Sequence, residues 1–332
     1  MHKFSIILPV RNGGHYVKEC VASVQAQTYQ DFNFIVLDNN STDGTREWIA
    51  SLNDPRIIIH PSPVSLSIEE NWARVISIGK NEFITIIGHD DILNPDYLTV
   101  MDDLIKSFPD AGLYQTHFNF IDGKGDVIRT CVPMKQLVKP VDFFEAVLRN
   151  TMEIIGTGFM VRSKDYDAHG GIPAYPNLLY ADIEIWMKII QDNYLAISPK
   201  NCFSFRFHIE NTSKSSGMFR LIAFERMVDF FKQLIYDHPE YAETMNQFGK
   251  EYLNNYVTGS CHKLIYIPKH SRNAVSMDTI ITTAKRSAQL LIPDIDFNPS
   301  TFSAVRVAKT IDSTPLLRGL FLFYKSFSKR TF

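Results

Sequence analysis

Short apolar runs alternate with helix-period segments through the first hundred residues of the chain. Residues 4–10, 34–37, 56–59 and 83–87 are nearly continuous in Ile, Val, Leu and Phe, the pattern of strands buried on both faces by crossover helices. Between the first two runs, Val17, Cys20, Val21 and Val24 recur at i, i+3, i+4 and i+7, one apolar stripe of a helix lying on a sheet. Ser67 and Glu70 have the spacing of a capping box, with Ile68, Trp72, Val75 and Ile76 as the stripe behind it and Gly79 as the stop. Asn94-Pro95 predicts the N-cap and first residue of a helix whose inward face carries Leu98, Met101, Leu104, Ile105 and Phe108. A mostly parallel α/β sheet flanked by helices follows.

The pattern then changes twice. Segments 114–122 and 127–132 flank Asp122-Gly123-Lys124-Gly125-Asp126, a hairpin signal that brings antiparallel strands into the sheet late. Beyond about residue 215 the period is helical, opening with Phe219, Ile222, Ala223, Arg226 and Phe230. A Ser-rich, Gly-containing stretch at 214–217 marks the change. The expected organisation is therefore an α/β domain over 1–214 and a helical C-terminal region over 215–332, in keeping with a length of 332 residues.

Composition removes several function classes. Hydrophobic residues at 45% and charged residues at 21% supply a sizeable core and exclude wholesale disorder. A formal net charge of -2 without a long Lys/Arg run argues against nucleic acid as a partner. Cys20, Cys131, Cys202 and Cys261 are far apart with no CxxC spacing, so buried reduced thiols are expected rather than a zinc site or disulfides. The N-terminus runs straight into a strand without a secretory leader, and no apolar run reaches the roughly 18 residues of a membrane span. A cytoplasmic protein is expected, with membrane contact limited to the periphery at the inner face of the cell membrane. The segment 301–332 suits that contact: Arg306, Lys309, Arg318, Lys325, Lys329 and Arg330 face the single acid Asp312, and Leu316, Leu317, Leu320, Phe321, Phe323, Tyr324 and Phe327 are interleaved with the bases beyond Pro315. A helix of this kind lies in an anionic headgroup layer or docks on the rest of the protein, and both readings stand.

In open α/β sheets ligands bind beyond the carboxyl ends of the parallel strands. Three polar clusters occupy such places: Pro9-Val10-Arg11-Asn12-Gly13-Gly14, then Asp38-Asn39-Asn40-Ser41-Thr42-Asp43-Gly44-Thr45, then Gly88-His89-Asp90-Asp91. Asp38 can accept hydrogen bonds from a nucleobase or ribose; the residues after it are equally those of a capped turn. The adjacent carboxylates Asp90 and Asp91 suit Mg²⁺ or Mn²⁺, which also binds substrate phosphates; a solvated loop is the alternative.

Together and in this order, the clusters resemble the inverting family-2 glycosyltransferases of the GT-A fold. The likeness runs from Ser5-Ile6-Ile7-Leu8-Pro9-Val10-Arg11-Asn12-Gly13 through Ser23-Val24-Gln25-Ala26-Gln27-Thr28-Tyr29 and Val36-Leu37-Asp38-Asn39-Asn40-Ser41-Thr42-Asp43-Gly44-Thr45 to Asn71-Trp72 and His89-Asp90-Asp91-Ile92-Leu93. It implies a nucleotide-diphospho-sugar transferase fold with a C-terminal helical extension. It also implies that Pro9, Val10, Arg11, Asn12, Asp38, Asn40, Asn71, His89 and Asp90 line a nucleotide-sugar donor, most often a UDP-sugar. Asp90 matches the last carboxylate of the family's DxD signature, which binds Mn²⁺ or Mg²⁺, while Gly88 stands where the first Asp usually lies. His89, if the segment is extended, points away from Asp90.

Further on, Gly156-Thr157-Gly158-Phe159-Met160-Val161-Arg162 is similar to the family's acceptor-side strand and His169-Gly170-Gly171-Ile172 to the turn after it. Ala181-Asp182-Ile183-Glu184-Ile185-Trp186 resembles the Glu-Asp segment that supplies the general base. Ala181 replaces the Glu, leaving Asp182 as the base, with Glu184 a substitute on the same helix. Arg206-Phe207-His208 resembles a late segment whose histidine binds metal in some relatives, making His208 a third ligand; a lone His there is otherwise a surface or core residue. The activity so implied is inverting transfer of a sugar to a hydroxyl of a glycan or lipid-linked saccharide, in surface-polysaccharide synthesis. Transfer onto polyprenyl phosphate, which needs no base, is the alternative enzyme, and a nonenzymatic nucleotide-sugar binder is the alternative from another class.

Overall fold

The structure is a computed structural model describing residues 3–207 and 217–328. The chain divides into two compact units, Met1–Phe143 with Thr151–Lys214, and Phe144–Asn150 with Ser215–Phe332.

The first unit is α/β. Its elements are β1 (Phe4–Val10), α1 (Tyr16–Gln25), β2 (Phe32–Asp38), α2 (Thr45–Ser51), β3 (Ile57–Ile59), α3 (Ile68–Ala73), β4 (Phe83–Ile86), β5 (Ile92–Leu93), α4 (Tyr97–Ser107), β6 (Leu113–Ile121), β7 (Val127–Thr130) and β8 (Leu137–Val138). After α5 (Pro140–Arg149), whose end belongs to the second unit, come β9 (Met160–Arg162), α6 (Ser163–Ala168), α7 (Ala181–Ile190) and β10 (Leu195–Arg206). The sheet order is β3-β2-β1-β4-β9-β6-β10-β5, with β7 on β6 and β8 on β10. Strands β3, β2, β1 and β4 are parallel neighbours. The short β9 is antiparallel to both β4 and β6, so β6 and β10, parallel to each other, continue the direction of β4. The expected mixed α/β sheet and late antiparallel hairpin are both present.

All seven residues of β1 are buried, as its continuous apolar run requires. Each large aliphatic or aromatic side chain removed from water there contributes about 1.5–3 kcal/mol. Helix α1 buries Val17, Cys20, Val21 and Val24, the stripe that the spacing predicts. The Ser67–Glu70 capping box forms, with Glu70 N–H donating to Ser67 Oγ and Ser67 N–H to Glu70 Oε2.

Two helices depart from expectation for identifiable reasons. Helix α3 ends at Ala73 and continues as a 3₁₀ turn over Arg74–Ser77. Asn71 takes a buried place on it while Ile76 is exposed, because Asn71 and Arg74 turn toward the end of β2. Helix α4 begins at Tyr97 rather than Pro95. Asn94 does not cap it: its backbone N–H donates to the Cys202 carbonyl and its side-chain amide to the Asn201 carbonyl, both on β10.

The second unit contains α8 (Gly217–Asp237), α9 (Tyr241–Tyr266), α10 (Met277–Leu291), α11 (Ser303–Ser313) and α12 (Pro315–Ser328). The inward face of α8 is Leu221, Phe224, Val228 and Phe231, whereas Phe219 and Ile222 are exposed. This helix is apolar on more than one side, and the aromatic residues of α9 select the face: Phe224 stacks on Tyr256 and Phe231 meets Tyr252. All four cysteines are buried free thiols.

Arg272 is buried in this unit and holds Asp312 of α11 with two parallel bonds, Nη1 to Oδ2 at 2.8 Å and Nη2 to Oδ1 at 2.6 Å. Removing one partner strands the other charge in the interior. Asp312→Ala is therefore expected to lower unfolding free energy by about 3 kcal/mol in denaturant titration. The Arg272 guanidinium holds the Asp312 carboxyl below its ordinary value, so this stabilisation is present above about pH 4 and is lost as pH falls through the lowered folded value. The deficit of the variant should narrow in acid.

Candidate active site

The ends of β1 and β2 are bound together before any ligand arrives. Val10 and Asp38 are the last pair in register, and Asn39 N–H donates to the Val10 carbonyl at 2.8 Å. Asn12 and Asn40 both adopt left-handed backbone, which Asn tolerates better than most residues. In the loop after β1, Asn12 N–H donates to Ser41 Oγ, Gly13 N–H to Thr45 Oγ1 and Gly14 N–H to Asp43 Oδ2. In return Asn12 Oδ1 accepts from Thr42 N–H at 2.7 Å. Pro9 and Val10 are buried in β1, while Arg11 and Asn12 are exposed beyond it.

Asp38 is wholly buried, and its backbone carbonyl accepts from Arg74 Nη1 at 3.0 Å. The same nitrogen donates to Asn71 Oδ1, and Asn71 Nδ2 donates to the Leu37 carbonyl. Asn71 thus uses its amide to shape the end of β2. The partly buried Asn40 reaches Ser65 Oγ at 3.4 Å.

At the end of β4 the chain turns sharply, with Asp91 N–H donating to the Gly88 carbonyl at 3.1 Å. His89 and Asp90 are partly exposed; Asp91 is buried. The Asp91 carboxylate accepts from Thr157 Oγ1 at 2.8 Å and from Arg206 N–H at 3.0 Å. Burial raises the Asp91 carboxyl to about 8, and the charge of Asp90 adds to the effect. Asp91 is therefore occupied inside the protein, leaving Asp90 as the outward carboxylate of the pair. Among the described residues no three His, Cys, Asp or Glu side chains gather into a metal cage. One carboxylate is nonetheless a fitting donor set for Mg²⁺ or Mn²⁺, which keep several waters and take diphosphate oxygens as further ligands. His208 lies outside the described residues.

Asp182 sits in the first turn of α7, after Tyr180 in left-handed backbone. Its Oδ1 accepts from Ile183 N–H at 3.0 Å, and desolvation raises its carboxyl to about 6. Glu184 is buried and committed: Oε2 accepts from Tyr175 O–H at 2.6 Å and Oε1 pairs with Lys188. Ala181, in the place of the family's Glu, is fully buried. Residues 155–158 connect this helix to the β4 turn. The Ile155 carbonyl accepts from Trp186 Nε1, Gly156 lies against Asp182, Thr157 holds Asp91, and Gly158 N–H donates to the Ile86 carbonyl. Gly158 has a φ of 72°, and a Cβ there would fall 2.8 Å from the Phe203 ring.

The family profile Glycosyl transferase family 2 matches residues 5–170, half of the chain and the part that holds the β1, β2 and β4 ends. The chain belongs to that family. Among relatives of this family-2 member, an uncharacterized glycosyltransferase of Rickettsia felis is 26% identical over 216 residues, 63% of this chain and 35% of that protein. Glycosyltransferase GlyG of Streptococcus pneumoniae is 26% identical over 126 residues, 37% of this chain and 41% of that protein. The chain thus spans well under half the length of these two relatives. UDP-Glc:alpha-D-GlcNAc-diphosphoundecaprenol beta-1,3-glucosyltransferase WfgD of Escherichia coli is 23% identical over 65% of this chain and 81% of its own. In structure, S. aureus TarS 1–349 in complex with UDP superposes with a TM-score of 0.64 at 16% identity, over 98% of this chain and 91% of that one. Mannosyltransferase PcManGT from Pyrobaculum calidifontis, in complex with GDP-Man and Mn2+, gives 0.54 at 16% identity, over 96% and 86%. The fold is that of GT-A enzymes, with a helical C-terminal region, as the family resemblance implies.

Arg74, Thr157 and Arg206 hold this site together, with Glu19 Oε2 paired to Arg206 Nη2 at 2.6 Å, and none of the four was singled out by sequence reasoning. Arg206 carried a signal, being a lone charge inside the aromatic alternation Phe203, Phe205, Phe207. A carboxyl raised on folding binds its proton more tightly in the native state, so its contribution is present below the unfolded value and declines as pH rises toward the folded one. Asp91 should make the wild-type protein lose stability between about pH 4 and pH 8. Asp91→Asn is expected to flatten that decline in denaturant titrations at several pH values, leaving only the smaller part due to Asp182.

Proposed function

We propose that the chain transfers a sugar from a nucleotide-sugar donor, a UDP-sugar, to a hydroxyl of a saccharide or lipid-linked acceptor with inversion, in surface-polysaccharide synthesis. What chiefly supports this is one arrangement: the desolvated carboxylate of Asp182 tied through residues 155–158 to the turn that presents Asp90. TarS crystallised with UDP and with UDP-GlcNAc, and WfgD named for UDP-Glc and a diphosphoundecaprenol acceptor, favour the donor and acceptor classes.

Asp38 and the loops beyond β1 and β2 take the nucleoside, with Pro9, Val10, Arg11, Asn12 and Asn40 around it and His89 beside the diphosphate. Asp90, with His208 as a further candidate, would hold Mn²⁺ or Mg²⁺. A bound ion there would supply neutralisation of the charge developing on the departing diphosphate. Asp182 accepts the proton of the acceptor hydroxyl as its oxygen bonds to the anomeric carbon and the bond from that carbon to the diphosphate breaks. With a carboxyl near 6, Asp182 is ionised at neutral pH yet more basic than an ordinary Asp, which suits a general base; such a group contributes about 10²–10⁴-fold.

The acceptor side also favours membrane proximity. In α12, Leu316, Leu320, Phe323 and Tyr324 fall at i, i+4, i+7 and i+8 and are exposed by 57–72%. The opposite side is anchored: Phe321 meets His262 and Tyr266, and Arg318 donates to the Ile265 and Ile267 carbonyls. An outward apolar stripe with Lys325, Lys329 and Arg330 after it matches an anionic bilayer surface, each base adding about 1 kcal/mol. No helix among the described residues is long and apolar enough to cross a membrane. A cytoplasmic protein at the inner membrane face is the arrangement proposed.

Measurements on three parts of the protein test the reading. Asp182→Asn should lose transfer by about 10²-fold or more while binding UDP normally, and wild-type activity should fall below about pH 6 as Asp182 takes up its proton. Near-normal turnover of that variant would favour polyprenyl phosphate as acceptor, since an ionised phosphate needs no base; donor binding without any turnover would favour a nonenzymatic binder. Asp90→Asn should fold but lose the Mn²⁺-dependent gain in melting temperature given by UDP. For α12, the full chain should sediment with anionic vesicles at low salt and less at high salt, and Leu320→Glu with Phe323→Glu should abolish this. Equal sedimentation of the two proteins would return the stripe to a packing role.

A further inference from the structure

A wholly buried charge of the first unit, Arg206, reaches the backbone of Asp90. Arg206 ends β10 and is wholly buried. Its backbone N–H donates to Asp91 Oδ1 at 3.0 Å. Its three guanidinium nitrogens reach three different parts of the fold: Nε donates to the Asp90 carbonyl at 2.7 Å, Nη1 to the Asp122 carbonyl at 3.0 Å, and Nη2 to Glu19 Oε2 of α1 at 2.6 Å. The guanidinium carbon also lies 4.6 Å from the centre of the Tyr16 ring.

Burying a guanidinium costs more than packing returns unless every N–H is matched. Here the acceptors of the guanidinium include the carbonyl of the peptide that joins Asp90 to Asp91, while the Arg206 backbone N–H holds the Asp91 carboxylate. With the Gly88 carbonyl closing the turn from the other side, the backbone of Asp90 is pinned on both sides. The hairpin tip at Asp122 is fastened to the same guanidinium.

We propose that Arg206 is the positioning residue for Asp90: by clamping the 90–91 peptide to α1 and to the β6–β7 turn, it aims the Asp90 carboxylate at the diphosphate end of the donor. This rests on Asp90 being the metal-side carboxylate, as proposed above. Lysine cannot substitute, since a single ammonium lacks the planar fork that meets three acceptors at once.

The test is a cycle of four full-length proteins, wild type, Arg206→Lys, Asp90→Asn and the double variant, each titrated with UDP in the presence of Mn²⁺ by calorimetry and each melted without ligand. Arg206→Lys is expected to weaken Mn²⁺-dependent UDP binding by about tenfold or more and to add nothing in the Asp90→Asn background, because it acts through Asp90. Equal losses in both backgrounds, or a lower melting temperature with unchanged UDP binding, would overturn the proposal and leave Arg206 a scaffold residue. If Asp90→Asn alone binds UDP as the wild type does, the reading of Asp90 fails first, and that single variant reports it separately. Should Arg206→Lys not fold, Glu19→Gln leaves the arginine in place and removes its half-exposed ion partner. A smaller loss in the same direction, again absent without Asp90, is then expected, and an additive loss would overturn the proposal equally.

Discussion

A carboxyl group placed inside a protein at the end of an apolar strand must find donors there or keep its proton, and the first unit is arranged around meeting that demand for Asp91. Thr157 supplies a hydroxyl and Arg206 a backbone N–H, which draws in the segment before β9 and the end of β10. Those two contacts set where Asp90 stands. The segment carrying Thr157 also carries Gly156, against Asp182, so the demand made by one buried carboxylate fixes the approach of the proposed base. Burial dominates the balance and raises the Asp91 carboxyl, which separates two neighbouring carboxylates into an inner, readily protonated one and a partly exposed one.

The end of the sheet formed by β1 and β2 follows a different logic. There the polar residues satisfy one another across two loops, with Asn12 both donating to Ser41 and accepting from Thr42. Such a frame is rigid before ligand binds, so little ordering entropy remains to oppose a nucleoside. The turn at 88–91 is made by contacts from three further elements, α1, β10 and the residues before β9. A nucleotide diphosphate spanning both places would bridge a self-contained cradle and an assembled one.

The parallel half of the sheet and its first helix were legible because period and burial agree: Val17, Cys20, Val21 and Val24 have one face and one neighbour. The strand-end carboxylates were legible for the same reason, since a charge that interrupts a strictly apolar run has few places to go. Legibility ended where a side chain serves a distant backbone. Asn94 looks like a helix cap in the sequence and instead braces β10; the bond of Asn71 to the Leu37 carbonyl at the end of β2 has no sequence signal. In α8 the apolar residues surround the helix, and only the aromatic residues of α9 decide which of them is buried. Glu184, ranked behind Asp182 by the family resemblance, is committed to Tyr175 and Lys188, partners that the sequence does not announce.

The glycine at position 88 gains a physical meaning from the same turn. A Cβ on Gly88 would lie 2.8 Å from Asp91 Oδ2 and 2.9 Å from Asp90 Oδ1, too near for either carboxylate to stay where it is. An aspartate there, as in the family's usual signature, would also add a third negative group beside a pair in which one member already resists ionisation. The loss of the first carboxylate and the tight fold of the remaining two are thus one choice. By turning back on the Gly88 carbonyl, the chain brings Asp91 within reach of Thr157 and Arg206.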